Sequence, residues 1–142
     1  MAISSACAGV SNTVTETTGM LTQSNQMTLT IMSTGTDTIN TSLAQNWMAT
    51  FAFSGSQLTG NEGLPAGTVN FTGTTNYTGD GKTFALAVST PTALTFDPTC
   101  NTASQVTAGS IQATFSGTNG STYVTLTWSG CQDPSIYLST PQ

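Results

Sequence analysis

The chain contains no histidine and no arginine, and Lys82 is its only basic side chain. Without an imidazole it has no Ser–His or Cys–His nucleophile, no histidine metal ligand and no proton shuttle for neutral pH. It also lacks a basic surface for phosphate groups, and its net charge of −5 repels nucleic acid. These absences predict a protein that is not an enzyme, needs no cofactor and does not bind nucleic acid.

Long apolar runs are missing as well. No stretch approaches the roughly 18 apolar residues of a transmembrane segment, and residues 1–10 lack the basic and apolar regions of a signal peptide. Charged residues make up 5% of the chain, whereas about 25% is usual for globular domains. This low charge content favours a mature exported protein, and we predict an extracellular or cell-surface location.

Threonine and serine are abundant instead and form about a third of the residues. Apolar residues alternate with them in a period of two, which is typical of half-buried antiparallel strands. The alternating series are Met27-Leu29-Ile31, Trp47-Ala49-Phe51-Phe53, Val69-Phe71, Phe84-Leu86-Val88, Leu94-Phe96, Ile111-Ala113-Phe115 and Val124-Leu126-Trp128. The pattern predicts an all-β protein, an antiparallel β-sandwich or small barrel of about seven or eight strands. Only Thr41 to Trp47 suggests a short helical turn.

A chain of this length fits one domain, and we predict a single β-domain at residues 23–142. Residues 1–22 form an N-terminal segment that precedes the first strong alternating series. Its apolar residues, Val10, Val14, Met20 and Leu21, are too sparse to hold it as an independent hairpin. We interpret the segment as a strand that can be donated to the sheet edge of a neighbouring copy.

Three cysteines allow three different single disulfides. In an exported protein we favour Cys100–Cys131, with Cys7–Cys131 as the alternative, while three reduced buried thiols are expected in a reducing compartment. The flanks of the favoured pair, Asp97-Pro98 and Asp133-Pro134, bring two carboxylates towards one neighbourhood. They are weak candidates for a Ca²⁺ site. Asp-Pro pairs are common at turns, and we prefer that interpretation and predict no metal.

The aromatic residues have two interpretations, core packing and a platform for sugar rings. Trp47 and Trp128 share the apolar side of their strands, which favours core packing. Tyr123 is out of phase with Val124 and Leu126. We therefore expect Tyr123 to face outward and take it as the candidate sugar contact.

Two fragments carry a resemblance to a class of known proteins. Ser4-Ser5-Ala6-Cys7 resembles the small residues that precede the cysteine of bacterial lipoproteins. The run Thr125-Leu126-Thr127-Trp128-Ser129-Gly130-Cys131 is similar to segments of Ser/Thr/Gly-rich exported lipoprotein domains. The resemblance implies an exported surface β-domain, with Cys7 at the position that would carry lipid.

These observations lead to one main functional hypothesis. Surface charge normally blocks pairing between sheet edges, and this chain has almost none. We expect an extracellular structural or adhesive subunit that assembles with copies of itself into a filament or surface layer. The alternatives are a carbohydrate-binding module, with polysaccharide as the partner, and a virion or coat protein.

Overall fold

A computed structural model describes residues 2–17, 19–34, 40–53, 64–79, 81–102, 104–117 and 120–139. These residues form strands and no helix. The strands are β1 (Ala2–Thr17), β2 (Met20–Thr34), β3 (Asn40–Phe53), β4 (Gly67–Gly79), β5 (Lys82–Phe96), β6 (Val106–Gly117), β7 (Gly120–Ser129) and β8 (Ser135–Leu138).

The strands follow one another across a single eight-stranded sheet, and every neighbouring pair is antiparallel. The prediction of an all-β antiparallel protein is confirmed. Neither a closed barrel nor a two-sheet sandwich is shown, because within the described ranges β1 pairs only with β2 and β8 only with β7. The helical turn expected at Thr41–Trp47 is wrong, since these residues belong to β3 and pair with both β2 and β4.

The sheet has two chemically different faces, and β4 separates them most clearly. Its residues alternate between exposed and less exposed positions from Gly67 to Asn76. The exposed side carries Thr68, Asn70, Thr72, Thr74, Asn76 and Thr78, and we call the side of the sheet to which they belong the polar face. The other side carries Val69, Phe71 and Tyr77, and we call it the apolar face.

The core lies on the apolar face. Leu94, Val106 and Trp128 are buried against one another, and Val69, Ile111 and Leu126 pack around them. Phe51 is also buried and contacts two further rings, with centroids 5.5 Å from Phe53 and 6.1 Å from Phe96. Among the residues whose burial the structure describes, the buried apolar side chains come from β3, β5, β6 and β7, together with Cys100 in the β5–β6 connection.

Gly109 permits the close approach of β5 and β6 beside this core. Its φ is +107°, a conformation that side chains rarely adopt. A Cβ at this position would collide with the carbonyl oxygen of Ala93. The register between the two strands shifts at several points from Ser89 to Phe96, where bulges accommodate Pro91.

The predicted Cys100–Cys131 disulfide is present, with Cα atoms 5.6 Å apart. It joins the β5–β6 connection to the β7–β8 connection across a sequence separation of 31 residues. Closing a loop of this size stabilises the folded state by about 3–4 kcal/mol in the chain-entropy account. The bond therefore ties the short strand β8 and its connection to the best-buried part of the sheet.

Candidate functional site

The edge strand β8 exposes large apolar side chains. Ile136 is 73% exposed, Tyr137 60% and Leu138 65%. Ile136 and Leu138 lie on the apolar face, opposite Leu126 and Val124 of β7. The strand contains no charged residue. This edge presents unpaired backbone groups next to apolar side chains, which is the combination that promotes strand pairing between molecules.

The opposite edge is β1, which holds most of the segment predicted to be donated. It pairs with β2 of its own chain from Ala2↔Thr34 to Thr17↔Met20. Val10 lies at the irregularity between Ala8 and Ser11, and Val14 is 61% exposed. Met20 and Leu21 open β2, on its polar and apolar faces respectively. Donation of this segment to a neighbour stays a prediction. In that case β1 would leave β2 of its own chain and pair in the same way with β2 of a neighbouring copy.

The pairing places defined parts of the two edges at the same level of the sheet. A row here means residues that face one another across successive strands. One row runs without interruption through Asn12, Asn25, Trp47, Gly73, Val88, Ala113, Val124 and Leu138. Val14 follows Asn12 by two residues, and Ile136 precedes Leu138 by two. Because β1 and β8 run in opposite directions, both residues lie on the same side of this row. The exposed apolar residues of the two edges therefore share one level and one face.

The tryptophans belong to the apolar face, as the alternation predicts. Trp128 is buried, and Trp47 packs against Phe71 with ring centroids 5.1 Å apart. Gly73 provides the space for Trp47, because a Cβ on that glycine would lie 2.7 Å from the indole ring. Neither indole is available on the polar face.

Tyr123 lies on the polar face and is 36% exposed. Its ring is 6.0 Å from the ring of Tyr137 on β8, centroid to centroid. Ser139 fixes this end of the edge, since its hydroxyl accepts a 2.8 Å hydrogen bond from the Tyr123 N–H. The Ser139 N–H in turn donates to the Tyr123 carbonyl oxygen at 2.9 Å. The sequence also offers Tyr137 as an aromatic candidate, but it does not place Tyr137 beside Tyr123, because the two residues are 14 positions apart and lie on different strands.

The two candidate calcium carboxylates have different surroundings. The Asp97 carboxylate accepts hydrogen bonds from the hydroxyl (2.7 Å) and the N–H (2.9 Å) of Thr99, so it caps its own turn. These two bonds hold the pKa of Asp97 below its ordinary value. Asp133 is exposed in the connection before β8. The described residues contain no group of three His, Cys, Asp or Glu side chains that could hold a metal ion.

The lowered pKa of Asp97 predicts how stability depends on pH. Because the folded-state pKa lies below 3.8, the carboxylate's contribution is complete above that value and is lost as pH falls through the folded-state pKa. We expect the Tm to vary weakly between about pH 5 and 9 and to fall below about pH 4. Thermal unfolding followed by circular dichroism measures this. Asp97→Asn should reduce the acid-induced fall. An unchanged fall in Asp97→Asn contradicts the assignment.

Comparison of the chain with protein-family models, with curated proteins and with solved structures finds no match. None of the described residues belongs to a helix with the length and apolarity to cross a membrane. The two edges and the two faces of the sheet are therefore the features that bear on function.

Proposed function

We propose that the protein is an extracellular structural subunit that assembles with copies of itself through the two open edges of its sheet. The observation that supports this most is the shared level of Val14 and Ile136. Each is a highly exposed apolar side chain on the apolar face, and each belongs to a different edge.

The topology makes this junction geometrically simple. Eight strands in an antiparallel meander leave β1 and β8 running in opposite directions. A second copy displaced sideways, without rotation, would present its β1 antiparallel to β8 of the first. Leu138 would then face Asn12, and Ile136 would face Val14 of the neighbour. The apolar faces of both copies would lie on the same side, so the meander would continue from one molecule into the next.

The composition of the two edges favours this junction energetically. Junction formation would pair backbone groups that are open on β8 and would cover part of the apolar surface of Ile136, Leu138 and Val14. Natural monomers guard such edges with lysine, with proline or with inward-facing charges. Here β8 carries no charge. The one charged residue of β1, Glu16, lies on the apolar face two residues after Val14, near the end of the strand and outside the stretch that would face Ile136 and Leu138.

A head-to-tail contact of this kind does not close on itself unless the copies rotate into a ring. Repetition of a sideways displacement produces a ribbon, which fits the hypothesis of a filament or surface layer. The extracellular location is supported by the Cys100–Cys131 disulfide, because such bonds persist in oxidising compartments.

Paired cysteines test the junction. Val14→Cys with Ile136→Cys, in a Cys7→Ser background, should form disulfides between chains and give a ladder of oligomers on non-reducing gels. Thr13→Cys with Ile136→Cys is the matched control, because Thr13 lies on the polar face and should not cross-link. Size-exclusion chromatography and electron microscopy of the unmodified protein should show extended assemblies. A cross-link within one chain, or a protein that stays monomeric at high concentration, contradicts the proposal.

The Tyr123–Tyr137 pair favours a second candidate function, carbohydrate binding. Two adjacent exposed rings on a neutral polar face offer the apolar surface on which a sugar ring can stack. Adsorption to insoluble neutral polysaccharide that Tyr123→Ala abolishes is the result that would support this candidate.

A further inference from the structure

The polar face contains a groove over β2, β3 and β4, away from both edges and from the tyrosine pair. Its volume is about 390 Å³, and it is open to solvent. Ala44 occupies its centre and is flanked by Thr28 and Asn76 in its own row. Gln26, Asn46 and Thr74 form the adjacent row. The short side chain of Ala44 is surrounded by longer ones, and this difference in length creates the depression. The register of the three strands therefore determines where the groove lies.

Three amides converge on this groove from three different strands. Gln26 belongs to β2, Asn46 to β3 and Asn76 to β4, and all three are exposed. None of them donates or accepts a side-chain hydrogen bond with another described residue. Each amide can donate and accept at once, and a sugar hydroxyl has the same double capacity. The groove therefore offers three side-chain amides that are available to donate hydrogen bonds to sugar hydroxyls and to accept them.

Charge and apolar surface narrow the class of ligand. β2, β3 and β4 contain no Asp, Glu, Lys or Arg. A phosphate, carboxylate or ammonium group would find no counter-charge on these three strands. A second depression adjoins the groove, shares Asn46 and Thr74 with it and is lined by Met48, whose side chain is 46% exposed on the same face. Ala44 and Met48 supply apolar contacts for C–H groups, while the amides face hydroxyls.

We propose that this groove binds a neutral oligosaccharide, with Gln26, Asn46 and Asn76 as hydrogen-bonding residues, Ala44 as its apolar floor and Met48 as an apolar contact in the adjoining depression. The site goes beyond the self-assembly proposed above and does not depend on it. It also differs from the Tyr123–Tyr137 candidate, because it uses other strands and other residues.

Titration calorimetry with soluble hexasaccharides tests the site. The probes are β-1,4-linked glucose, α-1,4-linked glucose and β-1,4-linked N-acetylglucosamine, with hexagalacturonate as an anionic counterpart. We expect at least one neutral probe to bind and the anionic probe to bind at least about tenfold more weakly. Asn46→Ala with Asn76→Ala should weaken binding at least about tenfold, since two hydrogen bonds are lost. Ala44→Leu should do the same by filling the depression.

The matched controls lie on the same face outside the groove. Ala52→Leu adds the same bulk to β3, and Asn70→Ala removes one amide from β4, and both should leave the dissociation constant unchanged. Tyr123→Ala should also leave it unchanged, which separates the groove from the tyrosine pair. The proposal is overturned if no neutral probe binds, if the anionic probe binds as well, or if the groove variants bind like the unmodified protein. Binding that is lost only in Tyr123→Ala would overturn it in favour of the tyrosine site.

Discussion

Replacing Trp128 by alanine is expected to lower the free energy of unfolding by about 3–5 kcal/mol, the usual cost of removing a large buried aromatic side chain. Trp128 is 8% exposed and forms the buried cluster with Leu94 and Val106. Domains of this kind are stable by about 5–15 kcal/mol in total, so the variant should approach global unfolding at moderate denaturant concentrations. Equilibrium denaturation in urea measures the change through the shift of the transition midpoint.

Trp128→Phe is the matched control for this substitution. The indole N–H is buried and has no hydrogen-bond partner among the described residues, and an unsatisfied buried donor costs about 1–3 kcal/mol. Phenylalanine keeps much of the ring contact and removes that donor, so we expect a change within about 1.5 kcal/mol. A loss in Trp128→Phe as large as in the alanine variant would contradict the absence of a partner for the indole N–H, and a loss below about 1 kcal/mol in Trp128→Ala would contradict the core assignment.

The strands of the apolar core could be predicted because their alternation is nearly uninterrupted. In β7, Val124, Leu126 and Trp128 occupy one face and Thr125 and Thr127 the other, which only a strand can satisfy. The alternating runs on either side also located the turn between β6 and β7, and Gly117 pairs with Gly120. Three cysteines left three possible disulfides, and the expected oxidising compartment favoured a disulfide over free thiols without deciding between the Cys100–Cys131 and Cys7–Cys131 pairings.

The outer strands were harder to predict because their side chains are less buried. In β1 the apolar face carries Asn12 and Glu16 beside Val14. The two faces of this strand therefore differ little in hydrophobicity, and the alternation is hard to detect in the sequence. The backbone pairing with β2 accounts for this strand instead. The beginning of β3 suggested a helical turn because Thr41, Ser42 and Gln45 obscure the alternation of Leu43 and Trp47. Tertiary pairing overrides such weak local patterns.

The candidate sites depend on register, which the sequence pattern does not supply. Gln26, Asn46 and Asn76 lie on three different strands, and one residue of slip would move an amide to the other face. Bulges make the register harder still to derive, because each adds a residue to one strand only. The common level of Val14 and Ile136 arises in the same way, from seven successive pairings.

A single charge on the β1 edge is expected to abolish assembly while leaving the fold intact. Val14 is 61% exposed, so Val14→Lys should change the free energy of unfolding by no more than about 0.5 kcal/mol. In the proposed junction the lysine would lie against Ile136 of the neighbour and would lose hydration without gaining a partner. Analytical ultracentrifugation should show monomers where the unmodified protein forms oligomers. Thr13→Lys, on the polar face, should assemble more readily than Val14→Lys.

Deleting residues 1–18 is expected to cause aggregation as well as loss of ordered assembly, because it removes β1 and leaves β2 as the new edge. β2 contains no charged residue, and its apolar face carries Leu21, Met27 and Leu29, which are half-buried in the full chain. The buried cluster of Leu94, Val106 and Trp128 does not include β1, so the truncated protein should keep its β-rich circular dichroism spectrum. It should lose ordered assembly, because the partner of Ile136 is gone, and should aggregate through the unguarded edge of β2. Light scattering and electron microscopy would follow both changes. If the truncated chain still forms the assemblies of the full protein, β1 takes no part in the junction and the edge-to-edge proposal fails.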